Sequence, residues 1–242
     1  MKHILVIAGT DSSGGAGLGR DVATATGFGL AVRPIVTAVT AQTDDALVMG
    51  HPMPVDLVRG QIETALSAGP PGAIKIGMLA TAEIAATVAE ALSGCTAPVV
   101  LDPVLATSSG GTLFAGGDLV PILPLVSLLT PNLPEAARLT GTGLAEHNRA
   151  IAAQAKALRS QGVGAVLIKG GHGSGPHSTD HLFDAAGHAQ FSVPRLARGR
   201  RGTGCTLATA IACRLALGDD LHLACARAKE HVHRWISDVD QV

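Results

Sequence analysis

The stretch that decides the fold is "ILVIAGTDSSGGAGLGRD", Ile4–Asp21. Its first five residues, Ile4–Ala8, are uniformly apolar, which is the pattern of a strand covered on both faces, because a half-exposed strand alternates apolar with polar. Glycines at 9, 14, 15 and 17 follow at once. They leave backbone N–H groups uncovered and let a ligand approach the main chain closely. A helix entered through these glycines is expected over Ala16–Gly29. Strand, glycine loop and helix in that order form the first unit of an α/β fold.

The same alternation runs outward to the end of the chain. Strands are expected at Pro34–Val39, Ala73–Ile76, Pro98–Leu101, Ser127–Thr130 and Ala165–Ile168. Helices are expected at Val55–Ser67, Ala82–Leu92, Leu133–Leu139 and Ala145–Ser160. A hairpin-like region covers His181–Val193, and two alanine-rich helices, Thr203–Leu217 and Leu221–Val239, close the chain. Apolar strands separated by helices predict a mostly parallel central sheet in a three-layer αβα arrangement. No repeat or linker divides the chain, so residues 1–242 are expected to form a single domain. In such sheets ligands gather at the carboxyl ends of the strands.

Composition narrows the function. The net charge is −1 and charged residues make up 15%, which offers no footprint for nucleic acid or an anionic membrane. Aromatic residues are 2%, with no tyrosine and Trp235 as the one tryptophan, so a bound ring must be held by aliphatic side chains, backbone and amides. The four cysteines, Cys95, Cys205, Cys213 and Cys225, form neither a CxxC pair nor a zinc spacing. No run approaches a membrane span, and the N-terminal apolar run is too short for a signal-peptide core. A cytoplasmic protein is expected.

The unusual residues fall just after strands. In "AVTAQT", Ala38–Thr43, Gln42 carries a donor and an acceptor suited to the edge of a heterocycle, or to any polar loop. In "IKIGML", Ile74–Leu79, Met78 can line an apolar wall. In "VLDPV", Val100–Val104, Asp102 is placed to hold Mg2+ or to cap a helix. In "LLTPNLPEA", Leu128–Ala136, Asn132 and Glu135 can face one metal–phosphate cluster; read locally, they are closer to a capping box. Lys169 in "VLIKGGHGSG" either meets phosphate oxygens or ends a strand as a surface charge. Asp21 can accept from a substrate donor, and taken alone it reads as a solvated carboxylate on a helix face.

"RRGTGCT", Arg200–Thr206, opens a helix with a Gly-Thr-Gly-Cys turn, whose unpaired N–H groups and helix dipole favour an anion. That field is expected to lower the pKa of the Cys205 thiol. The competing reading is a small residue filling a tight turn. Cys213 and Cys225 read as core residues. His231 and His233, two apart on a helix, do not face one another.

Taken in order, "AGTDSSGGAG", "AQT", "KIGML", "LDPV", "TPNLPEA", "KGGH" and "GTGCT" resemble the hydroxymethylpyrimidine/phosphomethylpyrimidine kinases of thiamin biosynthesis, in the ribokinase-like superfamily. The resemblance implies ATP and Mg2+ as cofactors, a small pyrimidine as substrate, and a homodimer. It implies that Gln42 bonds the pyrimidine, with Gly9, Ala16, Asp21 and Met78 around it. Asp102 and Glu135 would organise the metal, and Asn132, Glu135, Lys169 and Thr203 the ATP phosphates. Gly202, Thr203, Gly204 and Cys205 would form the catalytic anion hole, with Cys205 as base. Two positions depart from the pattern: Thr107 stands where relatives carry a lysine, and Arg201 where a histidine is common. A pyridoxal-type kinase, a sugar kinase and a non-catalytic pyrimidine-binding homologue remain alternatives.

Overall fold

The two-sided burial expected of Ile4–Ala8 organises the whole structure. The computed structural model describes residues 2–105, 119–171, 173 and 175–238. In the first strand, β1 (His3–Ala8), Leu5 and Ile7 enter one hydrophobic core while Ile4, Val6 and Ala8 enter a second. Helix α1 (Gly17–Gly27) leads to β2 (Ala31–Val36), which pairs parallel to β1. A hairpin, β3 (Ala38–Gln42) and β4 (Leu47–Pro52), then leaves the sheet before helix α2 (Val55–Ser67).

The chain re-enters on the other side of β1 with β5 (Ile74–Ile76), helix α3 (Ala82–Ala91) and β6 (Val99–Leu101). A 3-10 turn at Leu123–Leu125 precedes β7 (Leu128–Leu129), and helices α4 (Leu133–Thr140) and α5 (Asn148–Arg159) follow. Strand β8 (Ala165–Ile168), the antiparallel pair β9 (His177–Phe183) and β10 (His188–Pro194), and helices α6 (Thr203–Leu217) and α7 (Leu221–Ser237) complete the chain.

The eight-stranded sheet has the order β10-β9-β8-β7-β6-β5-β1-β2, parallel from β2 to β8. Val58 and Ile62 of α2, Ile84 and Val88 of α3, Leu133 of α4 and Ile151 of α5 cover one face. Leu18 of α1, Leu207 and Ile211 of α6, and Ala224 and Val232 of α7 cover the other. This is the three-layer, mostly parallel, ribokinase-like arrangement. The chain leaves β1 toward β2 and returns on the opposite side at β5, so the carboxyl ends of β1 and β5 flank a switch point where a crevice opens.

The main departure from expectation is the run Pro34–Val39, which is two strands rather than one. It divides at the buried Thr37, whose N–H donates to the Ala8 carbonyl (3.1 Å) and whose hydroxyl donates to the Met78 carbonyl (2.5 Å). Beyond it the chain lifts off the sheet as β3. Its partner β4, "LVMGHP", carries a glycine and a proline that weaken any strand signal, so the hairpin was hidden from sequence periodicity.

Candidate active site

The N-terminus of α6 is the centre of the site. Its cap, Gly202, has φ +79°, and a side chain there would collide with the Gly15 carbonyl oxygen, so only glycine fits. The first intrahelical bond of α6 is donated by Thr206 N–H to the Gly202 carbonyl (2.8 Å). The N–H groups of Thr203, Gly204 and Cys205 precede it and are open at the helix end, with the dipole behind them.

Gly204 lies directly against the next layer of the site. A Cβ on it would sit 3.3 Å from an Asp102 carboxylate oxygen and 3.4 Å from Lys169 Nζ. No side chain therefore separates the helix end from the charges below. Asp102 follows β6, Lys169 follows β8, and the two form an ion pair of 2.7 Å, with Glu135 Oε2 3.9 Å from the same Lys169 Nζ. Burial lowers the Lys169 pKa, but attraction to Asp102 and Glu135 outweighs it, so the ammonium is held charged. Lys169 is thus no strand-ending surface charge; its side chain is only 12% exposed.

Asn132 and Glu135 are a capping box as well as cleft residues. Asn132 Oδ1 accepts from Glu135 N–H, and Glu135 Oε2 accepts from Asn132 N–H, each at 2.8 Å. Burial pushes the Glu135 carboxyl above the usual range, offset in part by Lys169. The local reading and the cluster reading hold together, because one cap places both residues on the cleft, with Glu135 beside Lys169.

A cleft of about 450 Å³ joins these groups. Ala16 and Gln42 lie at one end, Asp102, Asn132, Glu135, Lys169 and residues 202–205 at its centre. The far end has an apolar character from Val193, Pro194, Leu196, Val232 and Ile236. Gly9 and Met78 are not among the lining residues but touch each other beneath it, since a Cβ on Gly9 would come within 2.9 Å of Met78 Sδ. Thr107 lies outside the described residues, as does His172 of "KGGH".

Two expectations are corrected. Asp21 is not a solvated helix-face carboxylate: it is fully buried, with Oδ2 on Lys75 Nζ (2.7 Å) and Oδ1 accepting from the Thr209 hydroxyl (2.7 Å). Both oxygens are engaged below the cleft, so Asp21 has none turned toward a bound ring. The Cys205 thiol, expected to be acidified by the helix, is instead pushed up to about 11 by burial, with Lys75 pulling the other way and Asp21 and Asp102 adding to the rise. Desolvation of a thiolate exceeds what one helix end returns. Cys213 and Cys225 are buried core residues, as read from the sequence.

Several site residues escaped the sequence reading. Lys75 is fully buried between Ile74 and Ile76, and a lysine centred in an apolar parallel strand was the available signal. Asp180 and Lys229 pair at 2.8 Å along the cleft, with Asp180 also accepting from Gly170 N–H (2.9 Å). Arg195 donates to the carbonyls of Gly170, Gly171, Gly175 and His177. The two arginines before the glycine turn have separate tasks. Arg200 stacks on Trp235 (4.0 Å) and donates to its carbonyl, while Arg201 reaches across to Asp11 and Asp44.

A mostly parallel sheet with an open helix end above a lysine and an aspartate at strand ends, and a glutamate at the next helix start, is the arrangement of a ribokinase-like phosphotransferase. Solved structures agree: a phosphomethylpyrimidine kinase from Clostridium difficile 630 superposes with TM-score 0.85, 30% identity, 98% of this chain and 100% of that one. The pyridoxal kinase of Staphylococcus aureus in complex with AMP-PCP superposes with TM-score 0.88 and 31% identity, over 98% of this chain and 88% of that one. The chain belongs to the phosphomethylpyrimidine kinase family, whose model matches residues 11–242. The hydroxymethylpyrimidine/phosphomethylpyrimidine kinase of Rhizobium meliloti is 37% identical over 98% of this chain and 91% of its own length. That of Streptomyces coelicolor is 40% identical over 95% and 86%.

Proposed function

We propose that the protein transfers the γ-phosphoryl group of ATP to the hydroxymethyl group of 4-amino-5-hydroxymethyl-2-methylpyrimidine, or to its monophosphate, in thiamin biosynthesis. The observation that carries this is the bare contact at Gly204. It sets three helix-end N–H groups against Asp102 and Lys169 with nothing between, a place built for a group that gathers negative charge.

In this reading Thr203, Gly204 and Cys205 N–H groups bind the transferring phosphoryl oxygens, and Lys169 and Asn132 position the ATP phosphates. Val193, Pro194, Leu196, Val232 and Ile236 supply aliphatic walls for the base, in a chain with almost no aromatic residues. Gln42 reads the pyrimidine edge, Ala16 borders it, and Gly9 with Met78 forms the floor. Asp21 supports that floor through Lys75 rather than touching the ring. Phosphoryl transfer depends mainly on positioning and electrostatics, so the small thiolate fraction of Cys205, whose pKa is about 11, is enough to take the hydroxyl proton and leave a neutral thiol. Cys205→Ala is expected to lower kcat by about 10²–10⁴-fold. In the parent kcat/KM should rise with pH above 7, since the reactive thiolate is the minor form; a flat profile, or full turnover by Cys205→Ala, removes the base role.

Mg2+ suits the donors present. Among the described residues no group of three or more metal-ligating side chains exists, and Mg2+ characteristically takes one or two carboxylates plus substrate phosphates and water. Asp102 and Glu135 would hold it. Bound there, it neutralises charge on the phosphates. A cytoplasmic location is proposed, since the reaction draws on ATP. A homodimer is proposed through the β3–β4 hairpin, a two-stranded sheet in which no further strand pairs with β4 among the described residues, with Val39, Val48 and Met49 exposed. Sedimentation of the parent and of Val48→Lys checks this: a dimer dissociated by the lysine supports it, and a monomeric parent refutes it.

Turnover on hydroxymethylpyrimidine, its monophosphate and pyridoxal, measured side by side, tests the function. Consumption of either pyrimidine supports it. Turnover of pyridoxal alone would instead favour the second reading, which the Staphylococcus aureus superposition recommends. Pyrimidine binding without turnover would mark a non-catalytic homologue.

A further inference from the structure

Three segments far apart in sequence meet at one guanidinium. Arg201 Nη1 donates to Ser13 Oγ (2.6 Å), the Thr43 carbonyl (2.8 Å) and Asp44 Oδ1 (3.1 Å), and Nη2 lies 3.1 Å from Asp11 Oδ2. Asp11 is the organiser of the glycine loop. Its carboxylate accepts from Ser13 N–H (2.9 Å), the Ser13 hydroxyl (2.8 Å) and Ala16 N–H (2.8 Å). Thr43 and Asp44 directly follow Gln42, the last residue of β3. The hairpin is latched to the same loop by Ser12, which donates to the Gln42 carbonyl (2.9 Å) and accepts from Gln42 N–H (2.8 Å). The aliphatic part of Arg201 packs over Gly15, where a Cβ would meet Arg201 Cδ at 3.2 Å.

The backbone of Arg201 belongs to the opposite side of the cleft. Residues 193–196 and 198–202 line its nucleotide half and end at the Gly202 cap. That wall is itself tied down, at one end by the four carbonyl bonds of Arg195 and at the other by Arg200 on Trp235 of α7. One side chain therefore bridges two halves that otherwise hang from different elements. Its pairing with Asp11 is shielded, because Asp11 is 1% exposed at the side chain, whereas Asp44 is 76% exposed and contributes little. An imidazole at this position could not present as many donors at this reach.

We propose that Arg201 is a positioning residue that couples the two halves of the cleft, so that ordering the helix-end wall around nucleotide also fixes the hairpin carrying Gln42. The inference rests on the kinase reading given above. It predicts that pyrimidine and nucleotide assist each other's binding, and that the assistance runs through this side chain. Coupling of this kind is a reciprocal factor, ordinarily about 5–150-fold.

The test is titration calorimetry of hydroxymethylpyrimidine with and without AMP-PCP, on the parent, Arg201→His, Arg201→Lys and Asp44→Asn. The parent is expected to bind the pyrimidine more tightly with AMP-PCP present. Arg201→His should bring that ratio close to one, whatever the affinity for AMP-PCP alone becomes. Arg201→Lys should retain part of the ratio, and Asp44→Asn nearly all of it. A purely structural role would weaken both ligands and leave the ratio unchanged, which would overturn the proposal, as would a parent ratio of one. Thermal unfolding of each variant identifies any that fails to fold, and Arg201→Lys then carries the comparison. A parent that binds neither ligand refutes the kinase reading itself, and the coupling falls with it.

Discussion

Two lysine–aspartate pairs lie within one layer of each other, both at 2.7 Å, and they do opposite work. Lys75 and Asp21 are completely sealed, one lysine to one carboxylate, with Thr209 on the remaining oxygen. Lys169 and Asp102 line the centre of the cleft, and Glu135 adds a second carboxylate to the one ammonium. The sealed pair is balanced and has no room for a ligand. The cleft pair carries an excess negative charge beneath a helix end, a combination left incomplete until something else binds. Distance does not separate the two; access and charge count do.

The comparison breaks most visibly at Lys75. Lys75→Met leaves Asp21 buried without its countercharge, a loss of about 3–5 kcal/mol of stability. Burial opposes the charge on Lys75, and the Asp21 carboxylate outweighs it and raises the pKa, so the ammonium is held charged. The double variant Asp21→Leu/Lys75→Met should recover much of that loss, since no charge is then stranded. Denaturant unfolding of the two single variants and the double one measures this. If Lys75→Met unfolds like the parent, the sealed pair is not what secures α1 to the sheet.

Lys169→Met should show the inverse pattern. Removing a preformed cation from beside developing charge costs about 10²–10³-fold in kcat. Its effect on stability should be smaller than that of Lys75→Met, because Asp102 and Glu135 can reach water through the cleft. A variant that keeps its kcat but loses stability would turn Lys169 into a second structural lysine and erase the contrast.

How far this contrast could be read from the sequence follows from the range of each interaction. The buried run Ile4–Ala8, the glycines after it and the Gly-Thr-Gly-Cys turn are local signals, and each element formed within a few residues of its expected place. Asn132 and Glu135 were legible twice over, as a cap and as a pair facing one point. Asp21 was not, because its partners, Lys75 and Thr209, are 54 and 188 residues away, and an isolated aspartate on a helix reads as solvated. The same limit applies to Cys205. Its helix-end position is written in the sequence, but the burial that raises its pKa comes from packing against other elements. The β3–β4 hairpin was missed because a continuous β-branched run does not say where a strand changes sheets.

Glu135 sharpens the cleft side of the comparison through pH. Its folded pKa lies above its usual 4.5, chiefly from burial, so the folded state binds a proton more tightly than the unfolded chain. Stability from this group is therefore full below about pH 4 and falls as pH rises through the raised pKa. Glu135→Gln keeps an acceptor for the Asn132 N–H without the buried charge. It should be at least as stable as the parent at pH 7 and lose that advantage in acid, while its activity at limiting Mg2+ declines. A loss of stability at neutral pH would show that attraction to Lys169 dominates there, in conflict with the upward shift.

The smallest effect is expected at a contact shorter than either lysine pair. Arg59 of α2 and Glu90 of α3 approach to 2.6 Å, closer than either lysine pair, but their side chains are 38% and 66% exposed. Water competes for both partners, and ordering two long side chains offsets most of the attraction. Glu90→Gln should change unfolding stability by about 0.5 kcal/mol or less, and the difference should shrink further as salt is added. Measured beside Lys75→Met under the same conditions, it isolates the variable that matters. If Glu90→Gln cost as much as Lys75→Met, contact distance rather than exclusion of water would set the strength of ion pairs in this fold, and the distinction between the sealed and the open lysine would lose its physical basis.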